Sequence, residues 1–113
     1  MEKPSPKNQH GEAMTPEGKV KQKVKKMLAS IPGLYAHWPV QNGMGSPTLD
    51  CVACCKGHYV AIETKAVGKK PTPRQELTME HMRLAGANVF VLDTDQSIEK
   101  CRVFLEYGLV VHD

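Results

Sequence analysis

Leu49-Asp50-Cys51-Val52-Ala53-Cys54-Cys55-Lys56-Gly57-His58-Tyr59-Val60-Ala61-Ile62-Glu63-Thr64-Lys65-Ala66 reads as two strands, 50–55 and 58–65, folded back at Lys56-Gly57. Pairing Cys55 with His58 across that turn sets Asp50 opposite Glu63. Directly opposed residues share a face, with Cβ atoms about 4.5–5.5 Å apart. Alternation then puts Glu63 and Lys65 on one face, and Ile62 and Thr64 on the other. Two carboxylates this close repel each other unless a cation lies between them. Magnesium suits the place, because it takes oxygen ligands at about 2.0–2.1 Å and keeps several waters. A lysine beside it can steady developing phosphate charge or hold an attacking water. The plainer alternative is a surface ion pair between Glu63 and Lys65. The apolar run Val60-Ala61-Ile62 favours the rim of a core strand. A register slip of one residue would separate the carboxylates.

On the N-terminal side, Thr15-Pro16 with Glu17 has the form of a helix start. Val20, Val24, Met27, Leu28 and Ile31 follow at helical spacing, until Pro32-Gly33 stops the helix. Residues 34–38 form a short strand, and 39–49, with Asn42, Gly43, Gly45, Ser46 and Pro47, a loop. Residues 1–14, rich in Pro, Lys, Asn and Gly, read as a flexible tail, leaving one domain over 15–113.

On the C-terminal side, Gly68 to Pro71 is a basic turn, and Thr72-Pro73-Arg74-Gln75 opens a second helix with a capping-box pattern. Leu77, His81, Leu84 and Ala85 are expected to form its apolar face, with Gly86 ending it. Asn88 to Leu92, with Val89, Phe90, Val91 and Leu92 continuous, is a strand expected to be buried on both faces. A third helix, capped at 93–95, turns Ile98, Cys101 and Leu105 inward and closes at Gly108. Leu109 to Val111 is a candidate for a last short strand beyond these elements. Helix, three strands, helix, strand, helix predicts an α/β fold: a mixed sheet flanked by helices, because the strand after the second helix returns by a crossover.

The chain has 113 residues and a formal net charge of +3, enough for one modest core. It shows no apolar run long enough to span a bilayer and no secretory signal, so a cytoplasmic protein is expected. Lys19, Lys21, Lys23, Lys25 and Lys26 crowd one segment and Lys69, Lys70 and Arg74 another, as suits a phosphate backbone. Solvated faces give the same pattern. Cys51, Cys54, Cys55 and Cys101 are expected to be reduced and mostly buried. A zinc site from Cys51, Cys54, Cys55 and His58 would need residues on opposite strand faces to converge. His37, His58 and His81 are candidate bases placed where structural roles compete, and Trp38 fits a core better than a base-stacking platform.

An aspartate opening one strand and Glu-x-Lys on the next resemble the active site of the PD-(D/E)XK nuclease superfamily. Pro39-Val-Gln-Asn-Gly-Met-Gly45, Leu49-Asp50, Ala61-Ile-Glu-Thr-Lys-Ala66, Thr72-Pro-Arg-Gln75, Gly86 and Val89-Phe-Val91 together resemble the VRR-NUC family, particularly its small stand-alone phage-type members. The resemblance covers roughly residues 15 to 95. It implies a restriction-endonuclease-like fold and Mg²⁺-dependent hydrolysis of DNA, with Mn²⁺ able to substitute. Asp50, Glu63 and the Thr64 carbonyl become metal ligands and Lys65 the catalytic lysine. Glu17 matches an acidic position that holds the metal or a second one through water, or else only favours the helix start. Gln75 matches a recurrent glutamine, or only completes the cap. Lys69, Lys70, Arg74 and Ser46 are candidate DNA contacts. Leu49 stands where the superfamily pattern carries proline. The resemblance further implies homodimers acting on branched DNA, as Holliday-junction resolvases do. The rival reading is a non-catalytic DNA-binding or adaptor module that keeps the fold.

Overall fold

The computed structural model describes residues 14–41 and 43–112. The tail expected over residues 1–14 falls almost wholly outside them. Helix α1 spans Pro16–Ala29, β1 Leu34–His37, β2 Cys51–Cys55, β3 His58–Thr64, α2 Pro73–Leu84, β4 Asn88–Leu92 and α3 Asp95–Tyr107. The α/β class and the order of elements are those expected. No described helix is long and apolar enough to cross a membrane.

One hairpin organises the sheet. Lys56 and Gly57 both take left-handed backbone angles, φ 51° and 81°, and a two-residue turn of that hand matches the twist of its flanking strands. Lys56, which has a Cβ to accommodate, is held there by its ammonium. This donates to the carbonyls of Leu105 and Glu106 at 3.3 and 2.6 Å, satisfying acceptors that the end of α3 leaves open. The turn sets Cys55 against His58 and Cys51 against Ile62. β1 adds antiparallel to β2, and β4 parallel to β3, in the order β1-β2-β3-β4.

Alternation along these strands divides the core in two. Cys51, Ala53, Cys55, Val60, Ile62 and Leu92 face α1 and α3, where Val24, Leu28, Cys101 and Phe104 meet them. Val52, Ala61, Val89 and Val91 face α2, under Leu49, Met79 and Met82. All three helices start with a threonine cap, Thr15, Thr72 and Thr94. Cys51, Cys55 and Cys101 are buried and Cys54 is exposed, all of them free thiols.

Three expectations need correction. The inward side of α2 is Gln75, Thr78, Met79 and Met82, whereas Leu77, His81, Leu84 and Ala85 are exposed. The capping box and the crossover into β4 fix how α2 is rotated about its axis, and unbranched methionines fill the irregular space above Ala61 and Leu49. β4 is half-buried rather than enclosed, because it is an edge strand. Leu109 to Val111 forms no strand and is exposed, since the sheet edges are already occupied by β1 and β4 and the chain leaves α3 without meeting either.

Candidate active site

The hairpin register carries past the last β2 pair to place Asp50 across from Glu63, at the end of the sheet where β3 finishes. Glu63 is 3% exposed. The two carboxyls hydrogen-bond to each other, which requires a proton on one of them. Burial first, then the hydrogen bond with Asp50 and its charge, push Glu63 up to about 8. Burial also pushes Asp50 upward, but the hydrogen bonds from Glu63 and Thr64 and the charge of Lys21 outweigh it and hold Asp50 below its ordinary value. The pair therefore shares a proton in the metal-free protein, with Asp50 the ionised member.

Asp50 is held from several directions. Its Oδ2 accepts from the Thr64 backbone N–H at 2.9 Å and the Thr64 hydroxyl at 2.7 Å. Its Oδ1 accepts from Gln41 Nε2 at 3.1 Å and faces Lys21 Nζ at 3.7 Å. Lys21 also lies 3.8 Å from Glu17 Oε2, so α1 presents a glutamate and a lysine to the same corner. Lys65, just past the end of β3, is near enough for its charge to draw Glu63 downward, while Glu17 pushes it up.

The sequence-derived residues thus fall into two groups. Asp50, Glu63, Thr64, Lys65 and Glu17 are at the carboxylate pair. Gln75, Arg74 and Ser46 stand with Gln41 and Thr72 in the wall of an adjoining cavity of about 320 Å³, between the 40–48 loop and the start of α2. The Gln75 side-chain oxygen accepts from the Thr72 N–H at 2.9 Å, so the cap engages it. Lys69 and Lys70 are exposed on the turn between β3 and α2. His37 and His81 are exposed, and His58 packs on Phe104 with ring centroids 5.3 Å apart. Trp38 is half-buried against the main core, and Lys25 lies over its ring at 5.0 Å.

Sequence reasoning missed Lys21, placing it only within a basic cluster, and missed the Thr64 hydroxyl. The available signal was the i, i+4 spacing of Glu17 and Lys21, which puts both on one helix face.

Among the described residues, no three His, Cys, Asp or Glu side chains gather into a metal-binding group, which removes the zinc arrangement. The donor set on offer is two carboxylates. Hard oxygen donors carrying excess negative charge fit a hard divalent cation that retains waters.

A mixed sheet between helices, carrying an aspartate, a glutamate and a lysine at the end of its central hairpin, defines a restriction-endonuclease-like domain. A solved structure described as a "VRR_NUC domain" superposes with a TM-score of 0.67 at 27% sequence identity, covering 83% of this chain and 99% of that one. This likeness in fold and sequence supports assigning the chain to the VRR-NUC family, as a nuclease-type domain. No family profile and no curated protein matches it by sequence.

Proposed function

We propose that this chain is a Mg²⁺-dependent DNA endonuclease acting on branched DNA as a homodimer in the cytoplasm of a bacterium or phage-infected host. The observation that carries the reading is the buried Asp50–Glu63 pair with Lys65 beside it. Asp50, Glu63 and the Thr64 carbonyl would hold the ion, with Mn²⁺ an effective substitute. When bound, the ion supplies a Lewis acid for the scissile phosphate and a more acidic water.

The chain's own residues do the rest. Thr64 fixes Asp50 through two hydrogen bonds, so one carboxylate is oriented before substrate arrives. The Lys65 ammonium holds the attacking water and meets the charge that grows on the phosphate oxygens. Glu17 sits one shell out and orients water toward the pair. Ser46, Arg74 and Gln75 line a cavity beside the carboxylates, suited to the neighbouring backbone, with Lys69 and Lys70 following the strand. Leu77 and Leu84, exposed on α2, offer apolar surface for a second copy. Light scattering showing monomers at every working concentration would exclude the dimer.

Cleavage of plain and four-way-junction DNA with Mg²⁺ by wild type and Lys65→Ala tests the mechanism. Loss of at least roughly a hundredfold is expected. Equal rates would refute it.

A further inference from the structure

Among the described residues, Lys21 is the ammonium that touches two carboxylates of the site, at 3.7 Å from Asp50 and 3.8 Å from Glu17. Both distances are ion pairs without a close hydrogen bond, so the ammonium stands between the carboxylates rather than being committed to either. Its side chain is 35% exposed, half withdrawn from water, and so less screened than a free surface lysine. Among the other lysines of α1, Lys23 is bound to Asp95 at 2.9 Å and Lys25 lies over Trp38.

The charges around the pair are Glu17, Asp50 and Glu63 against Lys21 and Lys65. Once an entering cation displaces the proton shared by Asp50 and Glu63, three carboxylates and two ammoniums leave one negative charge. A single divalent ion takes the site to one positive charge, and a second would take it to three. Without Lys21 that balance is two negative charges, and no ammonium stands between Glu17 and Asp50. That gap is where an ion bridging α1 to β2 would bind.

We infer that Lys21 is a tethered cation that takes the place of a second metal between Glu17 and Asp50, so that each active site loads one divalent ion. The inference rests on the carboxylate pair being a metal site and adds how many ions it takes. Lys21 is a positioning residue here. It fixes the charge and orientation of Asp50 and keeps Glu17 from acting as a ligand.

Counting bound Mn²⁺ on the full chain by loss of the free-ion electron paramagnetic resonance signal tests this without reference to cleavage. Wild type and Lys21→Arg are expected to bind one ion per chain, with any second ion at least about tenfold weaker. Lys21→Met is expected to bind two, and Lys21→Met with Glu17→Gln to return to one. Circular dichroism checks the fold of each variant, and a partly exposed ion pair is a mild loss. Two ions of similar affinity in wild type, or one ion in a folded Lys21→Met, would overturn the tethered cation and leave the nuclease reading standing. Should Lys21→Met not fold, the wild-type count decides alone. No ion in wild type would overturn both.

Discussion

Glu63→Gln should stabilise the metal-free protein at pH 8 and leave it unchanged at pH 5. Glu63 rises from 4.5 when free to about 8 in the fold. Between those values the folded chain keeps a proton that the unfolded chain has released, so folding stability falls as pH rises through the window. The contribution of this proton is complete below about pH 4.5 and lost as pH passes 8. At about 1.36 kcal/mol per pH unit, the full window is worth roughly 5 kcal/mol. Rotation of the Glu63 carboxylate away from Asp50 relieves part of this, leaving about 2 kcal/mol, or roughly 10 °C in Tm for a domain near 100 residues. A glutamine amide donates to Asp50 as the protonated acid does, but at every pH.

The assay is thermal unfolding by circular dichroism with chelator present, for both proteins at pH 5 and pH 8. Every other ionisable group is common to both proteins, so the difference between the two curves reports Glu63. Saturating Mg²⁺ at pH 8 is expected to raise wild type, where a cation replaces the shared proton, and to leave Glu63→Gln nearly unmoved. Parallel pH profiles for the two proteins would refute the shared proton and with it the close carboxylate pair.

Thr64→Val removes the hydroxyl that donates to Asp50 at 2.7 Å while keeping the backbone donor and the shape. A loss of about 1.5–3 kcal/mol in urea unfolding is expected for a bond to a charged group. Leu49→Ala empties a fully buried place beside Met79 and Ala61 and should cost roughly 2–5 kcal/mol in the same assay, with weaker Mg²⁺ binding because Asp50 loses its support. Changing Lys69, Lys70 or Arg74 singly to Gln should lower the slope of log affinity for DNA against log salt by about 1 each, uniformly across sequences. An unchanged slope would remove that residue from the DNA path.

The hairpin was legible because its determinants are local. Two residues able to take positive φ, flanked by alternating strands, leave one register that keeps Val60 and Ile62 in the core, and that register alone places Asp50 against Glu63. The helix starts were legible for the same reason, each depending on a threonine and the three residues after it. The buried side of α2 was not. Leucine outranks methionine, glutamine and threonine on any scale of apolarity, yet Leu77 and Leu84 are exposed while Met79 is buried. Which side of a helix turns inward is decided by the sheet beneath it and by the connection that follows, neither of which is written within the helix. Leu49 belongs with this case. It departs from the superfamily's proline, and its reason appears only when it is seen filling the small core that α2 covers.

Lys21 shows where local reading stops for the site itself. Within α1 it is one of five lysines in eight residues, and nothing in its neighbours separates it from Lys19 or Lys23. What separates it is the position of α1 over the end of β2, which brings Asp50 within reach of that one helix face. A motif search finds the groups that share a strand pair, because the chain holds them at fixed spacing. Charge balance depends as well on groups delivered from a separate element, so the aspartate, glutamate and lysine of a sequence pattern can be intact while the number of ions they hold is set elsewhere. In this chain the element proposed to set it is the first helix, through Glu17 and Lys21 together.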